Sequence, residues 1–190
     1  MGSRRLGVKR LNALSLIGQG VTADLGAGVS GSVGSRKIMK NGNEITTEIY
    51  VDLGSSEGAL VQPGTVDLII GNGDTGENAF LTKVTDAENG VVTLVEFTCV
   101  EAPTGADPDI NVAYSADLNA YSGSTNVTQL INQGNRVKGG EDAALLDASE
   151  LTNKYLYLAT GAASDGATGT TYTGGKLLIR LYGHAVPDDV

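Results

Sequence analysis

The chain has 190 residues and a mass of 19.4 kDa, the size of one domain able to bury a core without disulfide or metal staples. Its 27 glycines are about twice the usual frequency but follow no triplet period, which excludes collagen, and no apolar run approaches the ~18 residues of a membrane span. One His, one Cys and no Trp leave little for metal ligation, His-based catalysis or sugar stacking, so a structural role is favoured over an enzymatic one.

Charge divides the chain. Residues 1–40 carry Arg4, Arg5, Lys9, Arg10, Arg36, Lys37 and Lys40 against Asp24 alone, a net of +6, whereas residues 41–190 sum to −15. Residues 1–35 read as an extended, basic, glycine-rich arm with too little apolar area to fold by itself. Its candidate partner-binding residues are Arg4, Arg5, Lys9, Arg10, Leu11, Leu14, Leu16 and Ile17. The cations would meet carboxylates and the aliphatic groups would fill grooves on a partner. Nucleic acid is a poor fit, because its footprint would be a basic face on the fold itself, and the body is acidic. The arm also imitates a secretory signal, with basic residues ahead of Leu11–Ile17 and a small-residue Val21-Thr22-Ala23. Asn12 and Ser15 break the apolar stretch, so no cleaved leader is expected, and the lone Cys99 suits synthesis in a reducing compartment. Gly26-Ala27-Gly28-Val29-Ser30-Gly31 matches G-x-G-x-x-G. The following Ser32–Arg36 cannot open the helix on which a pyrophosphate would rest, so closely packed extended chain is expected instead.

Arg36–Met39 predicts a short strand leading into the Asn41-Gly42 turn. Glu44–Leu53 then alternates strictly: Ile45, Thr47, Ile49, Val51 and Leu53 on a core side, Glu44, Thr46, Glu48, Tyr50 and Asp52 on a wet or partner-facing side. Thr65–Ile70 follows a Pro63-Gly64 turn and predicts another strand. Asn72–Glu77 offers oxygens to calcium but lacks the distal bidentate Glu of a full loop. Ala79–Thr85 and Val91–Val100 predict a hairpin about Asn89-Gly90, with Val91, Thr93, Val95, Phe97 and Cys99 on one side. Both faces of the second strand start apolar, so it reads as central and Cys99 as buried packing. Asp107, Asp109 and Asp117 are read as turn acids that need no metal.

Strands are also expected at Asp109–Leu118, Val127–Ile131, Tyr155–Thr160 and Lys176–Tyr182, whereas the Ala- and Leu-rich Glu141–Leu151 reads as a short helix. Asn126-Val127-Thr128 is a sequon that means little without a secretory signal. Gly169–Lys176 resembles a phosphate loop, but Leu177 stands where a hydroxyl is needed and a strand follows. His184 lies past the last strand with no nucleophile elbow in view. No catalytic, metal or cofactor-binding residues are expected. Counted from Ile45, eight short strands split by Gly, Asn, Asp and Pro predict an all-β antiparallel sandwich of jelly-roll type over residues 36–190, with Ile45, Ile49, Val51, Val95, Phe97 and Ile179 inside.

Two segments carry a family resemblance. Tyr155–Ala163 with Thr171–Gly183, and Val8-Lys9-Arg10-Leu11 through Ala23–Gly28, resemble parts of virion structural proteins of marine tailed phages, over about a quarter of the chain. The resemblance carries no active-site residues. It implies a non-enzymatic decoration or cement protein on the virion capsid surface, made in the host cytoplasm, that clamps the major capsid protein. A receptor- or glycan-binding module of a fibre or tail is the alternative. Strands apolar on both faces further suggest a homo-oligomer, a trimer being favoured because capsid lattices offer three-fold positions. No membrane contact is expected.

Overall fold

The computed structural model describes residues 21–23, 25–26, 28–29, 33–56, 58–62, 68–71, 79–118, 127–132, 134–147, 150–161 and 170–185. Among them lie β1 (Val21–Ala23), β2 (Gly34–Asn41), β3 (Glu44–Asp52), β4 (Val61–Gln62) and β5 (Thr82–Lys83), then a four-residue helix, α1 (Asp86–Asn89). There follow β6 (Val91–Thr104), β7 (Ile110–Ser115), β8 (Thr128–Ile131), β9 (Glu141–Leu145), β10 (Tyr155–Thr160), β11 (Thr170–Thr171) and β12 (Gly174–His184). They form a six-stranded sheet in the order β1-β2-β3-β12-β6-β9, a four-stranded sheet in the order β5-β10-β7-β8, and the small pair β11-β4. Every pairing is antiparallel.

The two large sheets share one apolar core. Ile49, Phe97 and Ile179 enter it from the six-stranded sheet, and Val112, Leu156 and Leu158 from the four-stranded one. All six side chains expected inside are buried, Ile49, Val51, Val95, Phe97 and Ile179 completely. Burying each stabilises by about 1.5–3 kcal/mol relative to exposure. The fold is an all-β sandwich.

Local chemistry explains the first hairpin. Asn41 pairs with Glu44, so the loop is Gly42-Asn43, and Gly42 at φ +62° supplies the positive φ that such turns need at their first loop position. In β6 a register shift between Tyr182 and Gly183 of β12 breaks the alternation, so Val92 is buried ahead of Val95, Phe97 and Cys99.

Four expectations are corrected. Asn89-Gly90 is no hairpin turn: β5 pairs with β10 in the other sheet, and Gly90, at φ +66°, ends α1. The Asn89 side chain is buried, donating to Thr47 Oγ1 at 2.8 Å and accepting from the Thr85 N–H at 3.0 Å. Glu141–Leu145 is strand β9, not helix; pairing with β6 outweighs its local helix preference. The arm does not extend to residue 35. β1 pairs with β2, and Leu25, Val29 and Val33 belong to the core, so the body begins by residue 21. Asp107 and Asp109 are not solvated turn acids, being only 4% and 1% exposed. Of Thr65–Ile70, residues 65–67 lie outside the described residues, and Ile69 bridges to Ala159.

Candidate interaction face

Strand alternation turns one face of β3, β12 and β6 toward the core and leaves the other half-exposed. Register aligns that outer face into rows. One runs Lys37, Glu48, Arg180, Glu96 and Ala143, its charges alternating in sign across four strands. The neighbouring row is Met39, Thr46, Tyr182, Leu94 and Leu145, largely apolar and ending in a leucine that is 87% exposed. On the other side lie Ser35, Tyr50, Leu178, Thr98 and Glu141.

The charges are tied down pairwise. Arg180 Nε donates to Glu48 Oε1 at 3.0 Å, Tyr182 Oη to Glu96 Oε2 at 2.7 Å, and Lys176 Nζ to Glu101 Oε2 at 2.5 Å. The hydrogen bond that Arg180 donates to Glu48 raises the Arg180 pKa, and the one Lys176 donates to Glu101 raises Lys176. Partial burial, reinforced by Glu96, pushes Tyr182 up; burial and then Asp52 do the same to Tyr50. Glu44, Glu48, Asp52, Glu96, Glu101 and Glu141 against Lys37, Lys176 and Arg180 leave the face net acidic.

Arg136 braces the end of the sandwich. It is 5% exposed, donates from Nε to Ile110 O at 2.5 Å, pairs through Nη1 with the Asp142 carboxylate, and lies 4.5 Å over the Phe97 ring. Ile110 and Asp142 sit in opposite sheets, so one guanidinium ties both. Burial pulls its pKa down, with Asp142 opposing. A lone arginine in a Gly- and Asn-rich stretch carries no sequence signal for such burial.

The hollows beside β9, of about 210 and 180 Å³, are smaller than the ~300–1,000 Å³ of small-molecule pockets. A groove of about 500 Å³ lies where β2 meets β5, but Arg36 is engaged there, donating to Thr82 Oγ1 at 2.6 Å and Glu88 Oε2 at 3.0 Å.

Arg4, Arg5, Lys9, Arg10, Leu11, Leu14, Leu16 and Ile17 lie outside the described residues, as do Asn72–Glu77 and Asn126. Cys99 is fully buried, its thiol pKa raised by that burial, and His184 is exposed at the end of β12 opposite Glu44. Gly26 packs so closely on Phe80 that a Cβ would come within 2.2 Å of its carbonyl oxygen, which explains a glycine there without a nucleotide. Asp107 Oδ1 accepts the Asp109 N–H at 2.7 Å, and Tyr172 Oη donates to Asp107 O at 3.0 Å. Among the described residues no three of His, Cys, Asp and Glu gather as metal ligands, and no helix is long and apolar enough to cross a membrane. No protein-family model, curated protein or solved structure matches the chain.

Proposed function

We propose that the chain is a non-enzymatic virion structural protein, a decoration or cement protein that binds the major capsid protein on the surface of a phage head. Strand connectivity carries this reading. Taking β3, β5, β6, β7, β8, β9, β10 and β12 as strands one to eight, one sheet runs first, eighth, third, sixth and the other second, seventh, fourth, fifth. That order supports a jelly roll, an architecture common in viral shells and also in lectins. The step from fold to shell is one of analogy, strengthened by the family resemblance of the two end segments. A net acidic face of tyrosines, leucines and paired charges further supports a protein partner. The mechanism is mechanical: area buried across capsomer boundaries raises the cost of separating shell subunits. The basic N-terminal residues add contacts to carboxylates, and a homo-oligomer, a trimer by preference, multiplies them.

Mass spectrometry of purified particles tests this, together with adding the chain to particles that lack it. The expected results are a copy number matching shell lattice positions and a higher temperature of genome release. Finding only a few copies, confined to the tail, would support a receptor- or glycan-binding role instead and reject the shell reading.

A further inference from the structure

Strand β9 ends the six-stranded sheet, and its hydrogen bonds show which of its groups face outward. The Leu146 N–H donates to Thr93 O, and the Cys99 N–H to Gly140 O, both at 2.9 Å. Val95 lies opposite Ala144 and Phe97 opposite Asp142. In an antiparallel ladder the even-numbered residues 140–146 therefore turn their main chain toward β6. The N–H and C=O of Glu141, Ala143 and Leu145 point out of the sheet, where no strand lies among the described residues. The side chains of these same three residues are exposed, Leu145 at 87%, and Val137 in the preceding loop is 62% exposed. Sheet edges are commonly blunted by short length, charged side chains, Pro or a bulge; β9 is short and begins with Glu141 and Asp142, but Ala143-Ala144-Leu145 carries no charge, Pro or bulge.

A strand added here would send alternate side chains to either side of the edge. Hollows wait there: one beside Glu96, Glu141 and Ala143, the other against Arg136, Val137 and Gly140. Arg180 is already engaged by Glu48 and Arg136 by Asp142, so the newcomer meets Glu96 and Glu141 together with aliphatic Leu145 and Val137.

We propose that β9 accepts an extended basic and aliphatic strand, and that residues 4–17 of a second copy of this chain supply it. Arg4-Arg5-Leu6-Gly7-Val8-Lys9-Arg10-Leu11 has the matching chemistry, four cations and three aliphatic residues with no acid. Reach allows it. β1 is the edge of the sheet opposite β9, and residues 12–20, between Leu11 and β1, can span up to about 30 Å toward the β9 of a neighbour. Such a contact is head-to-tail and closes into a ring when the rotation permits. It rests on the homo-oligomer part of the reading above and not on the capsid partner.

The test uses full-length chains in a light-scattering concentration series. Ala143→Pro removes an outward N–H and leaves the β6 ladder intact, a change that edge strands tolerate. A second variant reverses the charge at Arg4, Arg5, Lys9 and Arg10. Wild type should self-associate, each variant should weaken association by roughly tenfold or more, and added salt should weaken the wild type. Circular dichroism melts should match the wild-type body. As an independent probe, chains carrying Val8→Cys are mixed with chains carrying Ala143→Cys under oxidation; a disulfide-linked pair of chains is expected. Undiminished association of Ala143→Pro, or no such cross-link, overturns the proposal. A wild type monomeric at every concentration overturns it too, even if it decorates particles. Association and cross-linking without particle binding would support strand exchange and reject the shell reading instead.

Discussion

The two large sheets of the sandwich are buried to different depths. In the four-stranded sheet, β7 and β10 are buried at almost every position: Leu156 and Leu158 lie on one face, Tyr157 and Ala159 on the other, and none exceeds 1% exposure. In the six-stranded sheet, β3 and β12 alternate between buried and half-exposed along nearly their whole length. A sheet covered on both sides has no free surface to offer, whereas a sheet covered on one side presents a regular face to a partner. The six-stranded sheet therefore carries the more accessible of the two outer faces, the one proposed above for a partner, and its charges are paired across the strands.

Substitutions on the second face of each sheet put this contrast at risk. Tyr157→Ala should destabilise by about 3–5 kcal/mol, as much as Phe97→Ala in the core, because Tyr157 is 1% exposed and donates its hydroxyl to Asp117 O at 2.7 Å. Leu178→Ala, at the corresponding outer position of β12, should cost about 1 kcal/mol or less. Chemical denaturation measures both, and equal costs would erase the distinction between the sheets.

The next effect concerns the brace between the sheets. Asp142→Ala strands the Arg136 guanidinium without its charge partner and should cost about 3 kcal/mol. Replacing the pair together, as Arg136→Met with Asp142→Leu, should recover much of that loss in the same denaturation assay. If the double variant is no better than Asp142→Ala, the pair is more than a local brace.

Alkali gives a smaller and directional effect. Burial raises the Tyr157 and Tyr172 pKa values well above the ordinary 10, Asp117 and Asp107 adding to it. The folded state holds these protons more tightly than the unfolded chain, so their contribution is complete below pH 10 and is lost as pH rises above it. Melting temperature should therefore fall steeply above pH 10. Tyr172→Phe should lower stability near neutrality, through the lost bond to Asp107 O, and flatten the alkaline fall. A fall of the same slope in that variant would assign the effect elsewhere. Smallest of all, Glu48→Ala on the outer face should change stability by about 0.5 kcal/mol, since its pair with Arg180 is about a third exposed on each side.

Half-buried strands were legible in the chain itself. Ile45, Ile49 and Val51 alternate with Glu48 and Tyr50 because a strand with one wet face must alternate, and the same rule separates Leu177, Ile179 and Leu181 from Leu178, Arg180 and Tyr182. Gly42 was legible as a turn because few other residues take its φ without strain. The outer face was foreseeable as the side of β3 turned away from the core, but its rows were not, since they exist only once β3, β12 and β6 lie in register.

Local preference determined the alternating strands and the first hairpin, because sterics and period act within a few residues. Long-range pairing decided the rest. Glu141–Leu145 has helix-forming side chains, yet bonds to Thr93 and Cys99 just outside β9's own span anchor it as an edge strand. Asn89-Gly90 ends a helix rather than a hairpin because Thr47 and Thr85, one of them more than forty residues away, bind the Asn89 amide. Arg136 is buried because Phe97, Ile110 and Asp142 converge on it from both sheets. Each of these depends on partners distant in sequence, whose arrival no local pattern records.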